Sequence, residues 1–176
     1  MLSKYVAPEQ LQVEFLNKWR NQDENDADDP LSPQNIPFDY QMAIAMAAQP
    51  LAWFEGSSLP DEGFEIVPLI EDYKKIRDEF HSGIILPIGD EPNGRSWTGF
   101  QSVANEKEGF FFIFRENNDH SKSLIQTYLT SGSNLKLEPV FEPEETLHTV
   151  VTNEGGVEFE INKRHGFTMY KYVILD

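Results

Sequence analysis

The chain contains no cysteine, so disulfides, thiolate nucleophiles, iron–sulfur clusters and thiolate zinc sites are all excluded together. Basic residues are also scarce. Fourteen Lys and Arg stand against 30 Asp and Glu, for a net charge of −16, and a protein so acidic repels both the nucleic-acid backbone and an anionic membrane surface. The two basic clusters are short. Lys74, Lys75 and Arg77 lie beside Glu71, Asp72, Asp78 and Glu79, and the other is Lys163, Arg164 and His165. Long hydrophobic runs are missing too: the longest, Met42 to Ala48, has seven residues, too few to span a bilayer. Met1-Leu2-Ser3-Lys4-Tyr5-Val6 carries no apolar core of a secretory signal. These absences predict a protein with no nucleic-acid partner and no membrane contact, residing in the cytoplasm.

Signature motifs are absent as well. No Walker-type phosphate loop, dinucleotide-binding glycine fingerprint, HExxH zinc pair or GxSxG nucleophile elbow occurs. The histidines, His81, His120, His148 and His165, lie at least 17 residues apart, and none has a second histidine three or four positions on. They read as exposed or capping residues rather than metal ligands. No metal and no cofactor is expected. The acidic stretch Asp23 to Asp29 invites a calcium reading, but neither register supplies Gly at the sixth and Glu at the twelfth position of an EF-hand loop. It reads as a solvated loop.

Hydrophobic residues make up 39% of the chain, with 13 Phe, 6 Tyr and 3 Trp, a composition that folds. The pattern changes character at His81-Ser82-Gly83. Before it the chain reads helically. Pro8 to Trp19 has Leu11, Phe15 and Trp19 at four-residue spacing, with a strand over Gln12 to Asn17 as the competitor. Phe38 to Gln49 is apolar all round after Gln41, which requires burial on every side. Leu51 to Phe54 reads as a buried strand, and Phe64 to His81 as an amphipathic helix with Ile66, Leu69, Ile70, Tyr73, Ile76 and Phe80 on its apolar stripe.

From Gly83 onward turn signals separate eight short strands: 84–88, 97–103, 109–115, 123–129, 135–141, 147–152, 157–162 and 167–175. Phe110 to Phe114 is apolar without alternation, as a central strand would be. In the last strand Met169, Lys171, Val173 and Leu175 point one way, and Tyr170, Tyr172 and Ile174 the other. The strands predict an antiparallel sandwich or small barrel. The first half does not close on itself, since it holds one helix apolar on every face and one or two strands that lack neighbours.

Two segments carry candidate ligand-binding residues. Leu51-Ala52-Trp53-Phe54-Glu55-Gly56 ends a buried strand in an acid, and ligands in α/β architectures meet the carboxyl ends of strands; the competing reading has Trp53 in the core and Glu55 capping a neighbour. Pro87 to Phe100 contains Trp97, either a sugar-stacking platform or an inward-packed residue of a hairpin. Acidic pairs such as Glu158 with Glu160 and Asp90 with Glu91 read as solubilising surface, not as a catalytic pair.

The succession Leu51 to Glu55, Ser58-Leu59-Pro60-Asp61-Glu62, Tyr73-Lys74-Lys75-Ile76-Arg77, His81 to Gly89, Ser96 to Gln101 and Gly109 to Arg115 resembles the C-terminal end of bacterial α-galactosidase (melibiase)-like glycoside hydrolases. There a (β/α)8 catalytic barrel closes with its eighth strand and helix, and an antiparallel β-sandwich follows. The resemblance implies an α+β chain, with residues 1–82 as the last barrel units and 83–176 as the sandwich domain. It also implies no catalytic residue here, because the family's nucleophile and acid/base aspartates lie on earlier barrel strands that nothing in this chain matches. Glu55, and Asn17 if 12–17 is the preceding strand, would line the rim of the substrate pocket. The expected function is that of a C-terminal fragment of a glycoside hydrolase, inactive alone, meeting carbohydrate through the parent enzyme and self-associating through an exposed apolar helix 38–49. A free-standing carbohydrate-binding module with Trp97 as its platform, and an interaction domain without a ligand, are the alternatives.

Overall fold

The computed structural model describes residues 2–15, 17–19, 22–29, 32–52, 59–141 and 145–175. In the first half, strand β1 (Gln12–Phe15), helix α1 (Phe38–Met46), strand β2 (Gln49–Ala52) and helix α2 (Val67–Ser82) follow one another. β1 and β2 pair in parallel, Gln12 opposite Gln49 and Phe15 opposite Ala52, so α1 is the crossover of a β-α-β unit. The second half supplies β3 (Ile84–Gly89), β4 (Trp97–Val103), β5 (Glu108–Arg115), β6 (Lys122–Gln126), β7 (Asn134–Pro139), β8 (Leu147–Val150), β9 (Gly156–Glu160) and β10 (Gly166–Leu175). Six of these form an antiparallel sheet in the order β3-β4-β5-β10-β7-β8, while β6 and β9 pair as a second, two-stranded antiparallel sheet.

The centre of the molecule is β5. Phe110, Phe112 and Phe114 point into one core with α1, α2 and β1, and Phe111 and Ile113 point into another with Ile125, Val157 and Phe159 of the β6–β9 pair. The unbroken apolar run follows from burial on both faces, and each Phe so buried contributes about 1.5–3 kcal/mol. β10 divides in the expected way, with Met169 toward the helices and Tyr170, Tyr172 and Ile174 toward the small sheet. The result is a sandwich-like pair of sheets with a helical layer on the outer face of the larger one. All eight strands expected beyond Gly83 are present.

Backbone proximity sets two glycines. A Cβ on Gly109 would lie 2.0 Å from the Ser102 carbonyl and 2.6 Å from the Tyr172 hydroxyl, a contact no side chain tolerates. Gly89, at φ +74°, turns the chain out of β3 into the loop before β4, a conformation open to glycine without strain.

Three expectations are corrected. The stretch 8–19 is not a helix: Pro8–Gln10 forms a single 3-10 turn and Gln12–Phe15 is extended. Leu11, Phe15 and Trp19 satisfy a four-residue period, but Val13 and Phe15 alternate with exposed Gln12 and Glu14, and pairing with β2 selects the strand. The apolar helix is not left uncovered either. Phe38, Tyr40, Met42, Ala43, Ala45 and Met46 are buried, and only Ile44, 46% accessible, is exposed within α1. α1 lies between the β1–β2 pair and the sheet, where the Tyr40 ring meets Phe114 edge-on at 5.9 Å. The exposed apolar face on which self-association through 38–49 rested is therefore absent. Finally, α2 starts at Val67 rather than Phe64, because Asp61–Ile66 winds as a 3-10 helix first. Among the described residues no helix is long and apolar enough to cross a membrane.

Candidate functional site

In a β-α-β unit the crossover helix begins near the carboxyl ends of the strands, which makes that end the natural place for a ligand. Asn17 stands there, two residues beyond β1, and its Oδ1 accepts the Trp19 N–H at 3.0 Å, an Asx turn that redirects the chain. Lys18 follows, with Nζ 3.3 Å from Glu62 and 5.0 Å over the Trp19 ring. A cleft of about 330 Å³ opens between Lys18, Asp39, Glu62, Glu65 and Lys163, and Lys163 lies 3.7 Å from Asp39. A second, of about 640 Å³, shares Asp39 and Glu65 and adds Asp72, Phe141 and Phe167. Carboxylates that accept hydroxyl protons, ammonium groups that donate and phenyl faces make these clefts suited to a polar, hydroxyl-bearing ligand. Glu55 lies outside the described residues.

Trp97 is placed differently from a platform. It is 5% accessible, packed with Ile88 and Phe111, and its Nε1 donates to the His120 carbonyl at 3.3 Å. An indole enclosed in this way has no open face for a sugar ring. Glu158 and Glu160 are exposed and share Lys122, at 3.9 and 3.2 Å. Asp90 and Glu91 are exposed as well.

At the opposite end of the parallel pair lies a cluster that sequence reasoning missed. Glu9, Gln49, Tyr73, Arg77, Asp78 and His81 surround a cleft of about 400 Å³. The Tyr73 hydroxyl donates to the Met46 carbonyl at 2.7 Å and lies 2.9 Å from His81 Nε2. Its single proton being committed, Tyr73 accepts from His81, so Nε2 carries the imidazole proton and Nδ1 holds a lone pair. That Nδ1 is buried without a hydrogen-bond partner, as is Glu9 Oε2. Burial holds His81 below the usual histidine range, against the opposing pull of the Met46 carbonyl and Glu9, and pushes the Tyr73 phenol up to about 12. Glu9 and His81 are far apart in sequence and belong to no motif, so only the fold brings them together. Among the described residues no group of three or more His, Asp or Glu is placed to hold a metal ion.

No protein-family model matches this chain, and no curated protein does. Solved structures do. The galactosidase domain of the α-galactosidase–sucrose kinase AgaSK superposes on 93% of the chain with a TM-score of 0.60 at 13% identity. The GH36 α-galactosidase AgaA from Geobacillus stearothermophilus, in complex with 1-deoxygalactonojirimycin, superposes on 79% with a TM-score of 0.55 at 16% identity. A form of the same enzyme in complex with stachyose covers 93% with a TM-score of 0.56. The chain spans about a fifth of these proteins, 22%, 20% and 21% of their respective lengths. At such identities the likeness is one of fold: this chain has the architecture of a portion of GH36 α-galactosidases.

Proposed function

We propose that the chain is the C-terminal portion of an α-galactosidase-like glycoside hydrolase. In this reading β1-α1-β2-α2 forms the last two units of the catalytic barrel, and the two antiparallel sheets form the accessory sandwich behind it. The observation that carries the reading is the parallel β1–β2 pair. Parallel strands normally lie inside larger sheets with neighbours on both sides, yet among the described residues this pair has none. Continuation of a barrel on the open edge supplies the missing neighbours. Asn17 and the carboxyl-end cleft lined by Lys18 would then lie on the rim of the barrel mouth, as would Glu55. The nucleophile and acid/base carboxylates would be contributed by other strands, and carbohydrate would reach this portion only through the whole enzyme.

An assay with an aryl α-galactoside tests the proposal. The isolated chain is expected to show no turnover, and hydrolysis at enzyme-like rates overturns it.

The second reading, a free-standing carbohydrate-binding module, is favoured by the carboxylates and phenyl faces of the two clefts rather than by Trp97. Calorimetric titration with raffinose separates the readings. Saturable binding that Asp39→Asn and Glu65→Gln abolish supports a module, and no binding by the isolated chain supports a rim completed only in the parent enzyme.

A further inference from the structure

An asparagine side chain is open to attack by the backbone nitrogen of the residue that follows it, and a Cβ on that residue is what ordinarily shields the nitrogen. Glycine removes the shield. Of the eleven asparagines in the chain, Asn93 alone precedes a glycine, and no aspartate does. Asn93 and Gly94 lie in the loop between β3 and β4, where Asn93 is exposed and Gly94 half-buried.

The local geometry favours the attack. Asn93 Oδ1 accepts the Arg95 N–H at 2.9 Å, and the ring which that bond closes contains both Asn93 Cγ and the Gly94 nitrogen. The side chain is thereby folded back toward the nitrogen rather than extended into solvent. The same N–H polarises the carbonyl and faces the negative charge that develops on Oδ1 during addition. Among the described residues the Gly94 N–H has no hydrogen-bond acceptor, and neither has Nδ2 of Asn93. Neither the attacking nitrogen nor the leaving group is held in place. Gly94 sits at φ +89°, and with no side chain it is free to rotate as the new ring closes.

The loop is also tied down at this point. Glu116 Oε2 accepts the N–H groups of Asn93 and Ser96 at 3.1 and 2.7 Å, and the Gly94 carbonyl accepts the Asn117 N–H at 3.1 Å. These bonds join the β3–β4 loop to the chain that follows β5.

We infer that Asn93 is a site of spontaneous modification, converting through a succinimide to isoaspartate and so releasing the loop from Glu116. The Gly94 nitrogen gives its proton to solvent hydroxide and bonds to Asn93 Cγ; the bond from Cγ to Nδ2 breaks, and ammonia departs. Water then opens the five-membered ring at the main-chain carbonyl of residue 93, so that the backbone runs on through the former side chain. Nothing is oxidised or reduced. One water enters and one ammonia leaves. The product has an extra methylene in the loop and a new carboxylate near that of Glu116, and like charges so placed repel. The inference does not depend on the chain being part of a hydrolase.

Incubation of the folded chain at mildly alkaline pH, followed by peptide mapping and labelling with an isoaspartyl methyltransferase, tests it. Isoaspartate is expected at position 93 before any other asparagine converts. Gly94→Ala is expected to slow the reaction at least about tenfold, because alanine is strained at positive φ and its Cβ screens the nitrogen. The converted chain, separable by its added negative charge, is expected to lose amide-exchange protection at positions 93 and 96. The inference is overturned if the folded chain accumulates no isoaspartate at 93, whether or not the chain unfolded in urea does, if Gly94→Ala converts as fast as wild type, or if the converted chain keeps its protection at both positions.

Discussion

The hydroxyl of Ser102, buried in β4, donates to the carbonyl of Phe80 in the last turn of α2 at 2.6 Å. The last four carbonyls of a helix have no partner within it, and Phe80 supplies one of them. This bond therefore satisfies a helix end and ties the helical layer to the sheet. Ser102→Ala would leave a buried carbonyl unpaired. A loss of about 1–3 kcal/mol is expected, read as a lower urea midpoint with an unchanged slope; a loss below about 0.5 kcal/mol would show that the bond does not join the layers.

His81 makes stability depend on pH, and the sign follows from burial. Its folded value lies below the unfolded value of 6.5, so the unfolded chain binds the proton more readily and stability rises with pH across that interval. The contribution is complete above 6.5 and is lost as pH falls through 6.5 toward the folded value. Glu9 and Asp78 oppose the shift and Arg77 adds to it, while His165, lowered by its own burial, acts in the same direction. Urea midpoints measured between about pH 8 and pH 5 should fall less steeply in His81→Gln than in wild type. Parallel profiles would refute the assignment.

Arg115 is 4% accessible and acts as a clamp. Its Nε and Nη2 donate to the Asn118 carbonyl at 3.1 and 2.6 Å, and Nη1 donates to those of Ile161 and Asn162 at 2.7 and 2.8 Å. The planar fork holds the loop after β5 against the segment after β9. Arg115→Lys keeps the charge but loses the fork. A cost of about 3 kcal/mol is expected from the unpaired carbonyls, together with faster amide exchange in 116–121 and 161–165. Lysine tolerated within about 0.5 kcal/mol would mean that charge alone suffices.

For Trp97 the structure predicts a loss of stability rather than of affinity. Trp97→Ala should destabilise the fold by about 3–5 kcal/mol, as large-to-small changes in a core do. At temperatures where both chains are folded, raffinose titrations should be indistinguishable between the variant and wild type. A variant of wild-type stability that has lost sugar binding would restore the platform reading.

Local pattern carried far in the second half. Strands there are short and separated by turn residues, which marks their existence locally, although only some neighbours in sequence, as in the β3-β4-β5 succession, are neighbours in space. Alternation in β10 and its absence in β5 reported one division of faces and two buried faces, respectively. The first half was less legible, because residues 8–19 satisfy a helical and an extended period at once. The choice is made by β2, which arrives only after a long connection and α1. The site at Glu9, Tyr73 and His81 left no mark at all, since Glu9 lies far in sequence from Tyr73 and His81 on α2 and none is unusual in its own neighbourhood.

The sequence by itself determined that cysteine chemistry is absent, that the composition is acidic, that eight strands follow Gly83 and that the apolar helix within Phe38 to Gln49 is largely buried, Ile44 being its exposed residue. Each of these depends on composition or on neighbours within a few residues. What covers the apolar helix, where Trp97 points and which polar atoms are left unpaired were decided by tertiary structure. The six-stranded sheet presents two apolar faces. The first half of the chain covers one of them, and burial on that scale overrides the local preference of any single segment.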